Sequence, residues 1–219
     1  MRGGARPAAG AAWPVLALLL FLLAGGLTAA APSPGRAWRW QECGPRGGAI
    51  TDMAVGAGRP ARLLGIHPTA GLYRSEDGGA HWAHGGDDLK NPWGTWWLTS
   101  VAFNDDGNLA AAGTRGSGLF LSTDGGFSWR PGGIGFDLAV DVITRIRFDP
   151  RDDRHLLVGT NAGLFQSTDG GESFQRCPLP IAGHLPGRVL ALTFHPADSL
   201  KAYVSLESDG LYASNDGGR

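Results

Sequence analysis

A serine and an aspartate that flank one residue and lead into two glycines can do three kinds of chemistry. They can cradle a phosphate on backbone N–H groups, ligate a cation through side-chain oxygens, or tie a tight turn together. Residues 163 to 171, "GLFQSTDGG", hold such a stretch, and it recurs as "GLYRSEDGGAHW" from Gly71, "GLFLSTDGGFSW" from Gly118, "GLFQSTDGGESF" from Gly163 and "GLYASNDGGR" from Gly210. The serines fall at 75, 122, 167 and 214, so the intervals are 47, 45 and 47 residues. A phosphate cradle wants a helix next, and none is suggested. A calcium loop wants more carboxylates at alternate positions than one Asp per copy supplies. The turn is favoured. Its Ser and Asp can bond nearby N–H groups, its glycines supply positive φ, and an aromatic three residues on in the first three copies can pack over it. The residues expected to build the four turns are Ser75, Asp77, Gly79 and Trp82; Ser122, Asp124, Gly126 and Trp129; Ser167, Asp169, Gly171 and Phe174; and Ser214, Asp216 and Gly218.

The elements that carry these turns repeat as well. "ITDMAV", "LTSVAF", "ITRIRF" and "VLALTF" each precede their serine by 20 to 25 residues and read as inner strands. A second apolar run follows each, "ARLLGI", "LAAAGT", "HLLVGT" and "AYVS", then the Gly-Leu-aromatic strand, the turn, and a fourth strand opened by the aromatic. A period of about 45 residues with four short strands is that of a propeller blade. The fold expected is all-β: a β-propeller with blades at about 48–86, 97–131, 142–177 and 188–219.

The pattern Ser-x-Asp-x-Gly-x-x-Trp/Phe resembles the Asp-box, or bacterial neuraminidase repeat. It occurs in the β-propellers of sialidases, sortilin-type receptors, photosystem II assembly factors and xyloglucan hydrolases. The resemblance covers residues 38 to 219. It implies a fold-stabilising hairpin away from the binding face, and it identifies a fold better than a function.

"WRWQEC" from Trp38 matches "FQRC" from Phe174, with Trp40 on Phe174 and Cys43 on Cys177, so residues 38–43 resemble a stray fourth strand. Two arrangements are open: a four-bladed ring closed by that strand, or part of a six- to eight-bladed ring, which a chain stopping inside a turn favours. The alignment places Cys43 and Cys177 in different blades, and two free thiols are expected.

Composition sets further bounds. The 219 residues are 42% hydrophobic and 18% charged, an ordinary globular balance, and the net charge of −1 gives no basic field for nucleic acid. The leader has Arg2 and Arg6 ahead of an apolar run from Val15 to Ala24 and a small-residue exit at Thr28-Ala29-Ala30 or Ala29-Ala30-Ala31. Residues 1–31 therefore read as a signal peptide or an N-terminal membrane anchor, and 32–37 as a linker. The protein is expected to be secreted or held in the cell envelope, touching membrane only through that segment. The six histidines show no metal spacing, and neither metal nor other cofactor is expected.

Catalysis is disfavoured. A sialidase would show Arg-Ile-Pro, an arginine triad and a Tyr nucleophile, whereas the nearest string is Arg145-Ile146-Arg147 on an inner strand, and Tyr73 and Tyr212 sit at strand-packing positions of the repeat. Asp87, Asp88, Asp137 and Asp141 fall in connections between blades without forming an evident pair. The connection "GGDDLKNPWGTWW", residues 85 to 97, is the strongest lead. Trp93 and Trp96, with Asp87 and Asp88, suit a sugar ring or an apolar protein anchor, while Trp97 adjoins the next inner strand and is expected to pack there. His184 and Arg188, just ahead of the fourth inner strand, are placed on the same side. The function expected is a non-catalytic scaffold that binds a protein or carbohydrate through blade-connecting loops. A glycoside hydrolase of sialidase or xyloglucanase type with catalytic groups in absent blades, and an assembly factor for a membrane complex, are the alternatives.

Overall fold

The computed structural model describes residues 39–45, 48–90, 97–136, 142–181 and 184–219. The leader and linker, together with Trp93, Trp96, Asp137 and Asp141, lie outside the described residues. The chain divides after Gln41. Of the first unit only Arg39, Trp40 and Gln41 are described, all exposed and without regular structure.

Glu42–Arg219 is all-β, with four antiparallel sheets in chain order. The first holds β1 (Asp52–Gly56), β2 (Arg62–His67), β3 (Gly71–Ser75) and β4 (Ala83–Gly85). The second holds β5 (Leu98–Phe103), β6 (Ala110–Thr114), β7 (Leu119–Ser122) and β8 (Arg130–Gly132). β9 (Ile143–Asp149), β10 (Asp152–Thr160), β11 (Gly163–Ser167) and β12 (Gln175–Arg176) make the third. The fourth has three strands, β13 (Val189–His195), β14 (Asp198–Leu206) and β15 (Gly210–Ser214), so the outer edge of β15 is unpaired. These are propeller blades, and their register repeats. Each turn serine stands opposite the second strand of its own blade, Leu63 facing Ser75, Ala110 facing Ser122, Leu156 facing Ser167 and Ala202 facing Ser214.

Blades pack face to face because strand alternation puts an apolar set on both sides of each sheet. Leu64, Leu72, Val101 and Trp129 meet between blades 1 and 2. Leu119, Leu121, Ile146 and Phe174 meet between blades 2 and 3, and Leu157, Leu164, Leu192 and Val204 between blades 3 and 4. The inner strands pack β1 on β5, β5 on β9 and β9 on β13, with no comparable packing of β13 on β1. The four blades form an open arc. Among the described residues no strand closes the four blades into a ring, and none from 39–43 completes the fourth sheet.

All four Ser-Asp turns have one geometry. The serine hydroxyl donates to the aspartate and accepts the second glycine's N–H, at 2.9 and 2.8 Å in the first copy, 2.7 and 2.8 Å in the second and 2.7 and 2.9 Å in the third. In the fourth, Ser214 makes the same pair of bonds to Asp216 and Gly218. The two glycines stand at φ 73° and 94° in the first turn and near those values in the others, a region that side chains strain to adopt. The carboxylate is spent on the turn. Asp124 takes the N–H groups of Phe127 and Ser128 and the Ser128 hydroxyl. Burial alone would raise its pKa, but these bonds and that from Ser122 outweigh burial and hold it at about 2. With donors on both oxygens of Asp124, the motif serves as a hairpin lock.

Cys43 lies against the first turn. Its carbonyl accepts the Trp82 indole N–H at 2.5 Å, and its Cβ is 3.3 Å from where a side chain on Gly79 would begin. Cys177 lies against the fourth turn in the same way, its thiol 3.3 Å from the Gly218 carbonyl. The two cysteines thus each lie against a Ser-Asp turn, the first and the fourth, and both are free thiols.

A candidate binding site at the loop end of the inner strands

The residue before each inner strand sits at the same end of its blade, where the chain arrives from the preceding connection. These residues are Thr51, Trp97, Val142 and Arg188, and all four line one concavity of about 350 Å³. Thr99, Arg115, Thr144 and Arg145 add polar groups to its wall, and Pro68, Leu98 and Ile143 add apolar ones. Every blade contributes, so the site lies where the inner strands converge.

Each side chain has a local reason for its position. On β9 the alternation buries Thr144, Ile146 and Phe148 and turns Arg145 and Arg147 the other way. Thr144 donates to the Val189 carbonyl at 2.8 Å, fixing β9 to β13 at the rim, and Arg145 donates to the Thr144 carbonyl at 2.6 Å. Arg115 follows β6, where its N–H donates to the Trp97 carbonyl at 2.8 Å and its backbone bridges Val142 of the next blade. Asn161 closes that corner, accepting from the Val142 N–H at 2.7 Å. Thr99 and Thr51 spend their hydroxyls on the carbonyls of Gly113 and Ile66. These bonds tie the frame of the concavity across blades, and Arg115, Arg145 and Arg188 lie in its lining.

Among the described residues no Asp or Glu lines the concavity, and none of Arg115, Arg145 and Arg188 is ion-paired to a carboxylate. Among the described residues these three guanidiniums meet no carboxylate, and together they concentrate positive charge on a chain of net charge −1. A planar guanidinium fork binds a carboxylate or phosphate bidentately. Trp97 is 42% exposed at the mouth and does not pack away as its adjacency to β5 suggests, because the blade-2 core is already filled by Leu98, Val101 and Trp129.

The other sequence candidates are placed as follows. Asp87 and Asp88 form a short 3-10 turn after β4, with Asp87 paired to Lys90 at 2.8 Å, and the hydrogen bond from Lys90 lowers its pKa. Asp88 accepts the Trp129 N–H at 3.4 Å. Neither lines the site. Arg188 does, whereas His184 pairs with the largely buried Asp209 at 3.2 Å, a contact that holds the 184–188 approach. Trp96 is bonded directly to Trp97, and Trp93 is four residues before it. The sequence reading missed Arg115 and treated Arg145 as an ordinary strand residue. The signal available was the shared position ahead of each inner strand, since Thr51, Trp97, Val142 and Arg188 fall in register once the repeat is aligned. Among the described residues no cluster of His, Cys, Asp and Glu could hold a metal ion, and no helix is long and apolar enough to cross a membrane.

No protein-family model and no curated protein matches the sequence. Solved structures do. The GH74 xyloglucanase from Xanthomonas campestris superposes with a TM-score of 0.61 at 23% identity, over 79% of this chain and 30% of that one. An ancestral GH74 enzyme gives 0.61 at 23%, over 84% and 25%. YCF48 from Cyanidioschyzon merolae gives 0.55 at 16%, over 74% and 50%. This chain therefore spans 25 to 30% of the length of the two GH74 chains. At such identities the likeness establishes the fold, and with the four Ser-Asp turns it defines the class: Glu42–Arg219 is an Asp-box β-propeller arc of four blades.

Proposed function

We propose that this chain is an exported, non-catalytic binding module that grips a protein or glycan partner through acidic groups at the loop end of its inner strands. The observation that supports this is the convergence of Arg115, Arg145 and Arg188 from three blades on one concavity that has no carboxylate among its described lining residues. Guanidiniums would pair with carboxylates of the partner, and Trp97 would cover an apolar or sugar face beside them. Trp93 and Trp96 stand within four residues of Trp97 in the sequence and are tested with it. Glycoside hydrolysis calls for two carboxylates across a cleft. Asp87 and Asp88 are instead engaged with Lys90 and with the Trp129 backbone.

Electrophoresis through gels containing polygalacturonate, a polymer of carboxylated sugars, or neutral xyloglucan tests the reading. Retardation by the acidic polymer alone, relieved by salt and by Arg145→Ala with Arg188→Ala, is expected. Shortening of xyloglucan chains by the purified protein would overturn the non-catalytic reading.

A further inference from the structure

Blade 3 departs from the other three at two places on its inner strand. Counted from the residue opposite each turn serine, Leu64, Ala111, Leu157 and Tyr203 hold equivalent places on the second strands. Their partners on the inner strands are Ala54, Ala102, Arg147 and Thr193. Two residues further along, Ile66, Gly113, Gly159 and Ser205 pair with Asp52, Ser100, Arg145 and Ala191. The fold asks for small or short side chains at both places. Ala54, Ser100 and Ala102 are buried, and Asp52 spends its carboxylate on the Val101 N–H of the next blade at 2.9 Å. Packing therefore gives no reason for two arginines on β9. Ion pairing gives none either, since among the described residues neither Arg145 nor Arg147 meets a carboxylate.

Both arginines stand on the face of β9 turned toward blade 4. Their partners across the ladder show it, because Leu157 packs with Leu192 and a side chain on Gly159 would begin 2.4 Å from Val189. Both are half-buried. Arg145 donates to the Thr144 carbonyl and Arg147 to the Ile146 carbonyl, each at 2.6 Å. A guanidinium carries five N–H donors, so after that one bond each keeps a fork for a carboxylate. Arg145 lines the concavity, and Arg147 stands one step further along the strand, about 6.6 Å away at the usual repeat of alternate residues. Among the described residues β9 is the last strand of its sheet and is paired to β10 on one edge alone, so the other edge is open to an extended chain.

We propose, given the acidic-partner reading of the concavity, that Arg147 continues the site along β9. Its occupant is an extended peptide segment with acidic residues at alternate positions, one carboxylate on Arg145 and the next on Arg147. The spacing selects such a segment. An extended chain places residues two apart on one side at the same repeat of about 6.6 Å, whereas adjacent acids point to opposite sides and only one of them can reach the pair of guanidiniums.

Two sixteen-residue peptides of equal composition and charge test this, one of alternating Glu-Ser and one of Glu-Glu-Ser-Ser blocks, each labelled and titrated with the full chain at low salt by fluorescence anisotropy. The alternating peptide should bind about fivefold or more tighter. Arg147→Met, which keeps the aliphatic stem and removes the charge, should erase that preference, and Arg147→Lys should restore part of it. Replacing Trp93, Trp96 and Trp97 together by Ala should weaken both peptides and keep their ratio; loss of the ratio would place the selection at the mouth and contradict the role of Arg147. The preference is read on the wild type and so stands apart from the folding of any variant. No binding of polygalacturonate by the wild type would overturn the acidic-partner reading itself. Polygalacturonate bound while the two peptides are held equally, or a preference that survives Arg147→Met, overturns the alternating-acid proposal alone.

Discussion

Leu164 and Leu211 occupy the same place in consecutive blades, on the same strand, one residue after the same glycine, yet the first is 4% exposed and the second 72%. Local sequence cannot account for the difference. It lies in what stands opposite, since Leu164 meets Leu192 and Val204 of blade 4. The repeat encodes each blade's shape and hydrogen bonding, while burial comes from the neighbour. Blades 2 and 3 are sandwiched and blade 4 is packed on one side, so equal residues carry unequal shares of stability.

The largest expected effect follows from that inequality. Leu164→Ala should lower the unfolding free energy by about 2–5 kcal/mol, the usual cost of a cavity, whereas Leu211→Ala should cost under about 1 kcal/mol, with both measured by urea denaturation at low protein concentration. Equal losses would mean that the face of Leu211 is covered in the dilute monomer.

The Ser-Asp turns sharpen the same contrast. Ser167 is buried and bonded to Asp169 and to the Gly171 N–H, so Ser167→Ala strands a buried donor and should cost about 1–3 kcal/mol. Ser214→Ala, in a turn open to solvent, should cost less by the same urea measurement.

Acid gives a smaller, graded effect. Bonds from the His81 backbone and imidazole, with a further one from Ser75, hold Asp77 at about 2, and Asp124 and Asp169 stand at about 2 as well. Carboxylates with a folded pKa below the unfolded value of about 3.9 stabilise fully above that value, and their contribution is lost as pH falls through the folded value. The melting temperature should therefore fall between about pH 4 and pH 2. Asp169→Asn should flatten part of that fall, and a triple Asn variant of the first three turns should flatten most of it.

The mildest probe is chemical. Burial, with a contribution from the Asp216 charge, pushes the Cys177 thiol up to about 12, while Cys43 is exposed. A disulfide reagent at pH 8 should titrate one thiol quickly in the native protein and the second only on unfolding.

Much of this architecture was legible in the sequence because its determinants are local. Glycines at positive φ, a Ser-Asp pair spaced for a turn and an aromatic three residues on announce each hairpin wherever it sits, and the alternation in "ITRIRF" gives the inner strand its two faces. The open arc was not legible, since Met53 and Leu211 look like every other member of their repeat positions. The candidate site was legible only in part. Arg188 and the tryptophan connection stood out as departures from the repeat, whereas Arg115 and Arg145 belong to different blades and come together only when the arc brings the inner strands side by side. Asp87 and Asp88 drew notice as acidic loop residues, a role that a short helical turn and a Lys90 partner explain.

The central claim is that the loop end of the inner strands holds an acidic partner through the guanidiniums of Arg115, Arg145 and Arg188. Calorimetric titration of the full chain with polygalacturonate, for the wild type and for the Arg115→Ala, Arg145→Ala, Arg188→Ala triple variant, tests it most directly. Salt-sensitive binding by the wild type, weakened at least tenfold in a triple variant that melts like the wild type, is the predicted result; about 1.5–3 kcal/mol for each charge-assisted hydrogen bond is ample for that loss. Equal binding by the two proteins, or none by the wild type, would contradict it.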